Sequence, residues 1–134
     1  RLFRESPINT IWEGSGNVQC LDMLRALQKT PETLDAFMAE IHLVERKHPL
    51  IPDALSSLQK NLSDKNNLEY RSRSIVEQMA LLFQASSLLQ YGNDLVADAF
   101  CSARLKNENK GWVYGTLPAN IDCNAMIKRA TPVN

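Results

Sequence analysis

One stretch of the sequence sets a carboxylate, a glycine turn and a helix start side by side: IWEGSGN, from Ile11 to Asn17. Glu13 follows the bulky pair Ile11 and Trp12. A fold that buries those two side chains draws the carboxylate toward an apolar pocket, where desolvation raises its pKa and makes it a usable base near neutral pH. Gly14 and Gly16 let the backbone come close to a flat or phosphorylated ligand, and Ser15 or Asn17 can cap the helix that begins there. The N-terminus of that helix favours an anion. Spacing leaves a plainer alternative open, in which Glu13 is a solvated or capping carboxylate and the glycines punctuate a loop before a helix.

Elsewhere the reactive residue types are scattered. His42 and His48 have no cysteine or carboxylate at metal-ligand spacing, so both read as surface or partly buried side chains and no metal site is expected. Cys20, Cys101 and Cys123 are odd in number and far apart, which argues against a disulfide framework and for a reducing, cytoplasmic setting. Fifteen Lys and Arg balance fifteen Asp and Glu, which removes the global basic footprint of a nucleic-acid binder and leaves only a local patch. A hydrophobic content of 44% with 22% charged residues is that of a globular domain, not of a disordered segment. No apolar run is long enough for a bilayer, and RLFRES at the N-terminus lacks the apolar centre of a signal peptide. The sequence enters structured-looking pattern at once from Arg1, which is expected of a piece of a longer chain.

The elements that must position Ile11–Asn17 read as helices throughout. Pro7 disfavours helical geometry at Ser6, so Arg1–Glu5 is expected to be the tail of a helix. The next helix runs from about Asn17 to Lys29, with Val18, Leu21 and Leu24 on one side and Leu27 near them. Thr30 is the expected N-cap of a second, with Pro31 at its first position and Leu34, Phe37, Met38, Ile41 and Val44 as its apolar face. A third is expected from Pro52 to about Leu62 on the stripe Leu55, Leu58 and Leu62, before the polar linker Ser63–Asn67. The longest, Leu68–Tyr91, carries Leu68, Ile75, Val76, Met79, Leu82, Phe83 and Leu89, flanked by Ala80, Leu81, Ala85 and Leu88. A stripe that broad implies a central helix covered on more than one side. Gly92 suits a C-terminal cap, and Asn93 with Asp94 restarts a helix whose face is Leu95, Val96, Ala99, Phe100 and Ala103. A loop with Trp112 and Tyr114 precedes a short helix from Asp122 to Ala130. The expected fold is all-α, an antiparallel helical bundle with short connections.

IWEGSGN, taken with the flanking RLFRESPINT and the following CLDMLR, resembles the end of the acyl-CoA dehydrogenase fold in its AidB-like branch; FCSARL and YGTLPANID resemble that branch's C-terminal extension. The resemblance implies a C-terminal region in which residues 1–29 close the dehydrogenase helical domain and residues 30–134 form the extension. It implies FAD bound in the whole protein, with a glutamate taking the α-proton of an acyl-CoA thioester as hydride passes to the flavin. The matching base is Glu13. Gly14 would contact the thioester, and Ser15, Gly16 and Asn17 would line the FAD side. Position 15 is more often threonine in the family, which keeps the hydroxyl, while Trp12 stands where tyrosine is commoner and leaves acyl-chain specificity open. By itself the chain is expected to hold no cofactor and to be inactive, lacking the β domain and the other domains that precede it.

The same branch is associated with the response to DNA alkylation and with double-stranded DNA binding through its last helical domain. From Cys101 onward Arg104, Lys106, Lys110, Lys128 and Arg129 face only Glu108 and Asp122, and Arg25, Arg71 and Arg73 could join them. A normally solvated helix surface remains the alternative, since phosphate binding needs several cations on one face. Trp112 and Tyr114 could stack on bases or pack the loop against the bundle. A homo-oligomer is also expected, with apolar faces near Leu2, Phe3 and Trp12 available for self-association.

Overall fold

The computed structural model describes residue 4, residues 16–106, residue 117 and residues 120–132. Those residues form six α-helices, α1 Gly16–Lys29, α2 Glu32–His42, α3 Leu50–Ser63, α4 Ser72–Tyr91, α5 Asp94–Arg104 and α6 Cys123–Ala130, with a 3-10 turn at Lys65–Asn67 and no strand among them. The all-α helical bundle read from the sequence is what is found. α4 is its axis: it packs against α1, α2, α3 and α5, while α1 also meets α2 and α3 meets α5. The breadth of its apolar stripe is explained by those four neighbours.

The core gathers Ile41 and Val44 from the end of α2 and the turn after it, Ile51, Leu55 and Leu58 from α3, Ile75, Leu82 and Ala85 from α4, and Cys101 from α5. Ile51, Leu55 and Leu58 recur at i, i+4 and i+7, so a single face of α3 carries all three. Each fully buried Ile or Leu contributes about 1.5–3 kcal/mol of transfer free energy, which makes this cluster the main source of stability.

Several local expectations are corrected. In α1 the buried side chains are Cys20 and Leu24, whereas Val18 is 61% exposed and Leu21 41%; the side that meets α4 is rotated from the expected one. In α4, Phe83 and Ala80 are exposed: Phe83 lies about 100° round the helix from buried Leu82, and Ala80, three residues before Phe83, shares its side. α5 buries Ala97, Ala99, Cys101 and Ala103, while Leu95, Val96 and Phe100 are half-buried. These small side chains fall on two faces of the helix, Ala97 with Cys101 and Ala99 with Ala103, and the first face brings Cys101 into the core.

Helix boundaries follow capping chemistry with two exceptions. Asn93 accepts the Val96 N–H at 3.4 Å and Asp122 accepts the Ala125 N–H at 3.0 Å, as their side chains suggest. At α2, however, the Thr33 N–H is taken by the Thr30 carbonyl at 3.0 Å and not by its hydroxyl. α3 begins at Leu50, two residues earlier than expected; Pro52 then lies in the first turn, where a missing N–H costs nothing. Gly92 ends α4 in extended geometry, φ −87° and ψ −174°, with its N–H on the Leu88 carbonyl at 2.8 Å. A Cβ there would lie 2.5 Å from that carbonyl oxygen, so close approach, not left-handed backbone, requires the glycine.

Between α2 and α4 sits a polar group inside the apolar core. Ser86 is fully buried; its hydroxyl lies 3.2 Å from Glu40 Oε1 and 3.3 Å from the Glu40 carbonyl. Gln90 donates from Nε2 to the same Glu40 oxygen and to Ser86 Oγ, the latter at 2.9 Å. No buried side-chain polar atom among the described residues lacks a partner.

Candidate functional site

The residues singled out by sequence divide into three groups. Glu13, Gly14 and Ser15 lie outside the described residues, as do Trp112 and Tyr114. Gly16 and Asn17 open α1, both exposed, so the first-turn N–H groups, which have no partner within a helix, face outward there. A side chain from α4 reaches this point: a Cβ on Gly16 would come within 3.1 Å of Arg73 Nη2. The head of α1 and the Arg73 guanidinium therefore make one electropositive spot.

The candidate cations lie at different places. Arg104 and Lys106 both line a cleft of about 320 Å³ between α3, α4 and the end of α5, together with Ser57, Glu77, Leu81 and Leu105. Arg25 lines a second cleft of about 320 Å³, where α1 meets the 3-10 turn, beside Lys65 and Glu69; it is also paired with Asp22 at 3.4 Å. Lys128 and Arg129 occupy the exposed last turn of α6. Arg71, named with them, is held by Asp64 at 3.4 Å and donates to Asn61 Oδ1 at 3.3 Å.

Two groups matter that sequence reasoning passed over. His48 is buried, 8% exposed, and its ring ties two helices. Nδ1 accepts the N–H of Leu50, the first residue of α3, at 3.2 Å, and Nε2 lies 3.3 Å from Asp98 Oδ1 on α5. With Nδ1 committed as an acceptor, the proton of the neutral ring is on Nε2 and is donated to Asp98. Its place before Pro49 at a helix start was the available signal. His42, by contrast, is exposed and 3.0 Å from Glu45. The second group is Glu77, set in the apolar run of α4, whose carboxyl is pushed above the usual range by burial. Among the described residues no cluster of three or more His, Cys, Asp or Glu could hold a metal, the three cysteines are free, and no helix is long and apolar enough to cross a membrane.

Comparison with known proteins decides the lineage. Over 105 residues, 78% of this chain, the sequence is 36% identical to a protein of Escherichia coli (strain K12) described as "Putative acyl-CoA dehydrogenase AidB". This chain is AidB-like. The AidB-like chain spans 19% of the length of that relative, so it corresponds to a part of AidB. No protein-family model matches it, and no solved structure does.

Proposed function

We propose that this chain is a helical portion of a flavin-dependent protein that removes hydrogen from the α and β carbons of an acyl-CoA thioester. The similarity to AidB carries the reading. On this reading residues 1–29 close the dehydrogenase helical domain, residues 30–134 form the extension, and the substrate meets Glu13 and Gly14. The Glu13 carboxylate takes the α-proton, for which it needs an apolar setting that keeps its pKa near the working pH. The chemistry that FAD would supply, when bound, is that of an acceptor for the hydride leaving the β carbon, so that the product would be an enoyl thioester. Ser15, Gly16 and Asn17 face the flavin side. What the structure contributes is a fit: the head of α1, with Gly16 beside Arg73, suits an anionic group such as the phosphates of a dinucleotide.

The test uses the full-length protein with FAD. Acyl-CoA added anaerobically is expected to bleach the flavin absorbance, and Glu13→Gln to abolish that bleaching while flavin stays bound. Bleaching at the unmodified rate would overturn the assignment of the base. The chain by itself is expected to bind no flavin, and a yellow, stoichiometric preparation of it would overturn that.

A second reading, binding of double-stranded DNA, is supported by Arg104 and Lys106 sharing one cleft wall and Lys128 and Arg129 sharing one exposed turn. It requires affinity that falls steeply with salt and a shallower salt slope on removing charge at Arg104 or Lys128. Binding indifferent to salt would exclude it.

A further inference from the structure

The cleft between α3, α4 and the end of α5 holds opposite charges that do not meet. Glu77 projects from the second turn of α4, and Arg104 and Lys106 stand at the end of α5 and just beyond. Glu77 has no hydrogen-bond or ion-pair partner among the described residues, while Arg104 and Lys106 each already engage another group. A carboxylate that shares a cleft with two cations yet pairs with neither leaves a gap between the two signs of charge. The floor of that gap is apolar, with Leu81, Leu82 and Leu105. One wall is fixed: Asn61 donates to Gln78 at 3.1 Å, and Gln78 donates to Ser74 Oγ at 3.3 Å. Ser57 adds a hydroxyl to the lining. At about 320 Å³ the space falls at the small end of ligand pockets, which are characteristically apolar with a few convergent polar groups.

We propose that this cleft binds a small zwitterion with an apolar body, of the size and kind of an aliphatic amino acid. Its ammonium meets Glu77, its carboxylate meets Arg104 or Lys106 by exchange with their present partners, and its side chain lies on Leu81, Leu82 and Leu105. Neither charge of such a ligand is left unpaired, and that is what separates it from a fatty acid or an amine of the same size. Burial lifts the Glu77 carboxyl, and an ammonium favours its ionised form. Affinity is therefore expected to fall on acidification, as Glu77 takes up its proton.

Three probes of matched shape test this by calorimetric titration of the chain: leucine, isovalerate, which lacks the ammonium, and isoamylamine, which lacks the carboxylate. Leucine is expected to bind saturably and at least about tenfold more tightly than either half, a difference of about 1.4 kcal/mol. Glu77→Gln should weaken leucine by a similar factor and leave isovalerate unchanged, and at least one of Arg104→Met and Lys106→Met should weaken leucine and isovalerate together, with unchanged thermal melts showing that the variants are folded. No saturable binding of leucine would overturn the proposal. So would isovalerate binding as tightly as leucine, or leucine binding undiminished in Glu77→Gln.

Discussion

α1 and the group α2, α3 and α5 are held to the central helix α4 by unlike means. That group and α4 pool Ile41, Val44, Ile51, Leu58, Ile75 and Leu82, each at most 1% exposed, whereas α1 buries Cys20 and Leu24 and leaves Val18 and Leu21 substantially open. The helix that leads directly out of Ile11–Asn17 thus adds two buried side chains of its own, and the residues that make the fold stable carry no chemistry. This division lets a site be shaped at one edge while the bundle beneath it stays fixed, because the free energy of opening differs from place to place in a structure.

The contrast can be broken most forcefully at its stable end. Leu58→Ala is expected to cost roughly 2–5 kcal/mol, lowering the midpoint of chemical denaturation of the whole bundle. Leu24→Ala should fall at the low end of that range and act locally: amide hydrogen exchange should accelerate in α1 and hardly change in α3 and α4. Equal acceleration everywhere would mean that α1 belongs to the same cooperative unit.

Next in size is Gly92→Ala, which forces a Cβ against the Leu88 carbonyl and should cost about 1–3 kcal/mol in thermal denaturation, as overpacking does. Asn93→Ala removes a cap and should cost about 1 kcal/mol, while Thr30→Ala, whose hydroxyl caps nothing, should be near neutral.

The smallest effects concern the cysteines. Exposed Cys123 should react with a thiol reagent first, ahead of Cys20 and Cys101, which are buried. Burial and the neighbouring Asp98 carboxylate push the Cys101 thiol from its ordinary 9.0 to about 11. A group whose folded pKa is raised stabilises fully below its unfolded value and loses that contribution as pH rises through the folded one. The cost of Cys101→Ala, measured against the unmodified chain, should therefore be constant below about pH 9 and shrink toward pH 11. A cost independent of pH over that window would mean that the thiol is not held neutral by its surroundings.

Periodicity was enough to find α2, α3 and α4, because long apolar stripes at i, i+3, i+4 and i+7 have few other homes, but not their ends: α2 stops at His42, short of Val44 in its expected face, and α4 starts at Ser72 instead of Leu68. It failed where the stripe is short or where the neighbour decides: Val18 and Ala97 are both apolar, and only the position of α4 determines that the second is buried and the first is not. Asn93 was legible as a cap since its chemistry is local, whereas His48 takes the Leu50 N–H and meets its other partner, Asp98, 50 positions away. Glu77 drew no reading at all, since a single glutamate within a helical stripe carries no spacing signal. Of the motif itself, the described residues include Gly16 and Asn17, with Arg73 as a neighbour that the sequence does not bring near.

The hydrogen bonds of Glu40, Ser86 and Gln90 have a consequence for motion. A purely hydrocarbon contact between two helices tolerates sliding by one turn, since one leucine is much like another. Here such a slip would part Glu40 from the fully buried Ser86 hydroxyl and from Gln90, at a cost of about 1–3 kcal/mol for a buried group left without its partner. The pair α2 and α4 is accordingly keyed like a lock to one alignment. Displacements passed through this bundle must travel as rotations of whole helices around that key, not as slippage along it.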